Sequence, residues 1–87
     1  MKLVFTKKAS KDFDKIESNK SLCKKVDELL EILETNPLQY PPDYEKLNGD
    51  LDGFYSRRIN IKHRLVYEVD EETQIVKIHS MWSHYEF

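Results

Sequence analysis

The sequence holds few of the residues that staple or break a chain: one cysteine, two glycines and three prolines in 87 residues. A single Cys23 excludes an internal disulfide and makes a reducing compartment the natural setting. No second cysteine or histidine lies near it in sequence, so it is a weak candidate for a metal ligand. No run approaches the ~20 apolar residues that cross a bilayer, and the apolar start at Leu3, Val4 and Phe5 is too short for a signal peptide. These absences predict a soluble, cytoplasmic protein with no membrane association. An excess of positive charge is missing as well: 14 Lys and Arg against 16 Asp and Glu give a net charge of -2. Total charge therefore does not suggest a nucleic-acid binder.

The length predicts one domain over residues 1–87 with a thin core, since so short a chain buries only roughly 60–65% of its unfolded surface. The local charge is uneven. Arg57, Arg58, Lys62 and Arg64 come first in the second half, and Glu68, Asp70, Glu71 and Glu72 follow. A small basic patch on an acidic chain is the feature that needs a reason.

Residues 2–5 read as a β-strand. Thr6 is placed to cap a helix, along which Ala9, Phe13 and Ile16 recur as one stripe. Ser18 and Asn19 interrupt it. A second helix is predicted over Lys20–Thr35, with Leu22, Val26, Leu29, Leu30 and Leu33 as its apolar face, stopped at Asn36-Pro37. Every proline and glycine falls in residues 37–53, which read as a long functional connection with packed aromatics Tyr40 and Tyr44. Strands are expected at 54–61, 63–69 and 73–85, joined by tight turns. The order is β-α-α-β-β-β: an α+β fold with an antiparallel-rich four-stranded sheet, covered on one face by a helix pair and open on the other. Alternation puts Leu65, Tyr67 and Val69 toward the helices and Arg64, Val66 and Glu68 on the open face. Arg58 on the neighbouring strand approaches Arg64 across the ladder.

Among the polar residues, His84 is a candidate general acid at neutral pH, Glu45 a candidate base, and the arginines are candidate phosphate forks. Such parts suit metal-independent cleavage of RNA, in which a base activates the ribose 2′-hydroxyl that DNA lacks. Spacing alone leaves the plainer readings open: a terminal His84 held by its neighbours, Glu45 as a surface acid, arginines in solvated ion pairs. His63 and His79 read as structural or exposed, Met81 as packing, and Tyr55 and Trp82 as core residues or base-stacking rings.

The segment from Leu51 through Gly53-Phe54-Tyr55-Ser56-Arg57-Arg58-Ile59, then His63-Arg64-Leu65-Val66-Tyr67, then His84-Tyr85, resembles the Txe/YoeB family of toxins in the RelE/ParE superfamily. The resemblance extends over nearly the whole chain and includes Glu45-Lys46-Leu47. It implies a RelE-like fold and the toxin of a type II toxin–antitoxin system, a ribosome-dependent mRNA endoribonuclease neutralised by a cognate antitoxin. Carried over by residue, it implies Glu45 as general base, Arg64 at the phosphorane, His84 as general acid and Tyr85 beside it. Arg58 matches a phosphate-binding arginine, and Arg57 and Lys62 are counted with it as substrate-binding. No cofactor and no metal are expected; the partners the resemblance implies are the ribosomal A site with mRNA, the antitoxin and a possible second copy of the chain. The sequence departs from the family pattern in ending with Glu86-Phe87 after the His84-Tyr85 pair, in carrying Asn48 where lysine is common, and in its acidic balance. Two other readings of the same fold stay open: a ParE-like gyrase inhibitor that cuts nothing, and a catalytically weakened homologue that still binds antitoxin.

Overall fold

Thr6 opens the first helix as its position predicts: its side-chain oxygen accepts from Ala9 N at 3.1 Å, satisfying one of the orphan amides of the first turn. In the computed structural model, which describes residues 1–82, the Leu51 side chain excepted, α1 is Lys7–Glu17 and α2 is Lys20–Thr35. Asn19, read from sequence only as a break, caps α2 through a bond from Leu22 N at 3.2 Å. Ala9 and Ile16 of α1 and Leu22, Val26, Leu29 and Leu33 of α2 are buried in one core with Leu65, Tyr67, Val76 and Ile78 of the sheet.

The sheet has five strands where four were expected. They are β1 Lys2–Phe5, β2 Tyr44–Lys46, β3 Phe54–Arg58, β4 Arg64–Asp70 and β5 Ile75–Ser80, in the order β1-β5-β4-β3-β2. β1 runs parallel to β5, and the other pairings are antiparallel. The additional strand, β2, arises inside the proline- and glycine-rich connection. It is only three residues long, and Leu47 N extends its ladder with a bond to Phe54 O at 3.0 Å. Gly49 and Gly53 shape the return to β3 with φ of 69° and 91°, a region L side chains rarely adopt. The last strand stops at Ser80, short of the expected residue 85.

Leu65 and Tyr67 face the helices, with Val69 packed at the margin, as alternation requires. The opposite face is less open than expected, because Val66, Ser56 and Ser80 at its centre are buried. Polar side chains are therefore available around that centre, and on the β2 side they converge.

Candidate functional site

Arg58 and Arg64 are direct partners across the β3–β4 ladder, and one strand further out Glu45 is the partner of Ser56. Two like charges placed opposite each other destabilise a sheet. Here the cost is relieved from the edge: Arg64 Nη1 lies 3.5 Å from Glu45 Oε1. That distance is longer than the ~2.7–2.9 Å of a tight charge-assisted bond. The Glu45 side chain is also 56% exposed, against 16% for Arg64, so water competes for the pair from the Glu45 side and weakens it. An incoming anion can therefore separate the two at little cost. Among the described residues no carboxylate pairs with Arg58.

Tyr40, Asp43 and Tyr44 complete the walls of a cleft of about 350 Å³ around Glu45, Ser56, Arg58 and Arg64. Ser56 is 1% exposed, and its Oγ has no hydrogen-bond partner among the described residues. A buried hydroxyl left unpaired costs stability, and a water, an ion or a ligand entering from the cleft would relieve that cost. Tyr40 is mostly exposed, and its ring stands edge-on to Tyr44 at 6.3 Å. A hydrogen bond with Asp43, reinforced by the charge of that carboxylate, raises the Tyr40 hydroxyl above its usual pKa, so it stays protonated at neutral pH.

Arg57 does not belong to this cleft, which corrects its expected role in substrate binding. Neighbours on a strand face opposite ways, so Arg57 turns to the helix side and is fully buried. There its Nε donates to the Tyr67 hydroxyl at 3.0 Å, Nη1 to Pro42 O at 2.6 Å, and Nη2 to Pro37 O at 3.0 Å and Gln39 O at 2.8 Å. Its charge lies over the Tyr44 ring at 4.9 Å. Tyr67 passes the connection on, donating to Pro37 O at 3.0 Å. Burial pushes the Tyr67 hydroxyl up to about 12, with Arg57 opposing. This arginine is the clamp that shapes residues 37–42 and so holds one wall of the cleft. Lys62 is exposed in the turn between β3 and β4 and does not line the cleft.

His84 and Tyr85 lie outside the described residues. The chain leading to them is held firmly as far as Trp82. Asp12, buried on α1, accepts from Met81 N at 3.0 Å and from Lys8 Nζ at 2.9 Å. Trp82 stacks on the buried ring of His63 at 4.5 Å, and Lys15 Nζ lies 5.6 Å from the Trp82 ring. His79 meets Glu68 at 3.2 Å and the Phe54 ring at 4.6 Å, away from the cleft. Tyr55 is a packing residue, stacked on Tyr67 at 5.7 Å.

Sequence reasoning missed Ser56, Asp43 and Asp12 as contributors. Ser56 carried a usable signal, since alternation puts it on the face of Arg58. Asp12 carried one too: it stands three residues after Ala9 and four before Ile16, inside the buried stripe of α1.

The model of the YoeB-like toxin family of bacterial type II toxin–antitoxin systems matches residues 5–85. Toxin YoeB of Escherichia coli (strain K12) is 34% identical over 77 residues, covering 87% of this chain and 92% of that protein. Staphylococcus aureus YoeB, solved in a YoeB-YefM complex and as a YoeB dimer, is 40% identical with a TM-score of 0.83, and 98% of each chain is covered. A YoeB/ParE toxin from Agrobacterium tumefaciens has a TM-score of 0.90 at 30% identity, covering 98% of this chain and all of that one. The chain belongs to the YoeB-like toxins of bacterial type II toxin–antitoxin systems.

Proposed function

We propose that this toxin is an endoribonuclease that cuts mRNA in the ribosomal A site, with Glu45, Arg64 and His84 as its catalytic groups. The observation that carries the reading is the loose Glu45–Arg64 pair, 3.5 Å apart in a cleft shared with Arg58. Glu45, wetted and hydrogen-bond accepting, takes the proton of a ribose 2′-hydroxyl. The freed oxygen bonds to the adjacent phosphorus, and the bond from phosphorus to the 5′-oxygen breaks. Arg64 balances the charge gathering on the phosphorane, while Arg58 holds the phosphate. His84 protonates the leaving 5′-oxygen, with Tyr85 beside it. The products are a 2′,3′-cyclic phosphate and a 5′-hydroxyl, and side chains alone move both protons. Lys62, on the exposed turn outside the cleft, contacts phosphates of the flanking RNA.

An antitoxin is the proposed inhibitor, by likeness to the Staphylococcus aureus YoeB-YefM complex, and a homodimer is proposed by likeness to the dimer of the same relative. A cleft rimmed by Arg58 and Arg64 suits an acidic segment that folds on binding.

The test is cleavage of mRNA on programmed ribosomes. Wild-type protein is expected to leave cyclic-phosphate ends, and His84→Gln to cut ~10²–10⁴-fold more slowly. Intact mRNA together with stalled gyrase would replace this reading with that of a ParE-like inhibitor. Antitoxin binding without either activity would mark a catalytically weakened homologue.

A further inference from the structure

We propose that Tyr40 is the platform on which the nucleobase next to the scissile phosphate stacks. The proposal rests on the nuclease reading and extends it to a residue that has no part in the proton transfers.

The cleft supplies charge for a phosphate at Arg58 and Arg64, and polar groups for a ribose at Glu45 and Ser56. A nucleotide bound to those groups leaves its base to be covered. Tyr40 is the strongly exposed aromatic on that cleft, with 68% of its surface open. A large aromatic so exposed in a small protein forgoes its burial energy, and an RNA base is the flat partner that recovers it.

The ring is also held ready. Arg57 binds the carbonyls of Gln39 and Pro42, which flank it on either side. Gln39 Nε2 bonds Pro41 O at 3.2 Å. Tyr44, itself under the Arg57 guanidinium, supports the ring from the side. A platform fixed before binding loses less entropy when the base arrives. The buried Arg57 thus serves recognition indirectly, as a positioning residue for Tyr40. The unpartnered Ser56 hydroxyl beside Arg58 and Arg64 adds a polar group that a ribose could pair with. The ring face does the recognising, since stacking on a base needs no hydrogen bond to its edges. Every base has such a face, so the platform strengthens binding with little selectivity among the four bases.

The test uses an uncleavable single-stranded RNA trinucleotide with 2′-deoxyribose at the scissile position, and versions of it abasic at each position, titrated by NMR. Removing one particular base is expected to weaken binding to the wild type and to Tyr40→Phe by roughly 5- to 100-fold, the range of base–aromatic stacking. Tyr40→Ala is expected to bind that abasic version and its parent equally, with an unchanged melting temperature because the ring is exposed. On programmed ribosomes Tyr40→Ala should lose kcat/KM by a similar factor, while Tyr40→Phe and Tyr40→Trp stay near wild type. Base removal without effect on the wild type, or a preference that survives in Tyr40→Ala, overturns the proposal. So does a Tyr40→Ala variant impaired only in antitoxin binding, which would assign the ring to a protein interface. If the wild type binds with the expected base dependence but cuts no mRNA, the nuclease reading falls and the platform stands.

Discussion

Arg64 on β4 reaches past β3 to Glu45 on the edge strand β2, and the 3.5 Å between Nη1 and Oε1 leaves the pair weak enough to part. In the resting protein Glu45 is one counter-ion of Arg64. On the proposed mechanism, bound RNA turns the guanidinium to phosphate and the carboxylate to the 2′-hydroxyl. Glu45→Gln keeps the shape and removes the proposed base. Cleavage on programmed ribosomes is expected to fall ~10²–10⁴-fold. Unfolding free energy should change by less than about 1 kcal/mol, because the pair lies at an exposed edge. A variant that cuts normally would remove Glu45 from the mechanism.

Two consecutive arginines should behave in opposite ways. Arg57→Ala removes one donor each from the Tyr67 hydroxyl and three carbonyls at once, leaving Tyr67 and Pro37 O only each other, and should cost on the order of 3 kcal/mol or more. That is a large part of the stability of a small domain. Arg58→Ala should leave stability within about 0.5 kcal/mol, but weaken RNA binding and lower its salt slope by about 1. Urea unfolding and a salt titration of binding separate the two effects.

Ser56→Ala removes a buried hydroxyl that has no partner among the described residues. Its stability is therefore expected to equal or exceed that of the wild type, by up to about 1–3 kcal/mol. Its cleavage rate is expected to drop, because a ligand loses the bond that the hydroxyl reserves. A variant destabilised and fully active would show that Ser56 serves packing alone.

The clamp predicts an alkaline limit. Tyr67 ionises at about 12 in the folded protein and near 10 when unfolded. With the folded value the higher, its contribution to stability is fully present below about pH 10 and is lost as pH rises through about 12. Tyr67→Phe should be less stable at neutral pH by about 1–3 kcal/mol, leaving Arg57 Nε and Pro37 O short of a partner. The gap between wild type and variant should close over the alkaline window, as read from urea midpoints at several pH values.

Much of this molecule is legible along the chain wherever the interactions are local. The Thr6 cap, the second helix to its last residue, and the opposed faces of β4 all follow from spacings of four residues or fewer. What escaped depends on partners distant in sequence. β2 is three residues in a proline-rich stretch and exists because β3 pairs with it; short, charged edge strands carry little periodic signal. Pairing of β1 with β5 joins the two ends of the described chain, which no local pattern reports. Arg57 looked like part of a basic patch because its charge is visible in sequence and its burial is not. The alternation that put Arg58 beside Arg64 already implied that Arg57 faces the core. At the cleft, Glu45, Arg58 and Arg64 converge as read, while Lys62 stays outside it.

The most direct test of the chemistry replaces one ribose. On ribosomes programmed with an mRNA whose scissile nucleotide alone is 2′-deoxy, the protein should leave that linkage intact while cutting the all-ribose message. Cleavage at the deoxy nucleotide would contradict the account, since Glu45 would have no 2′-hydroxyl to activate.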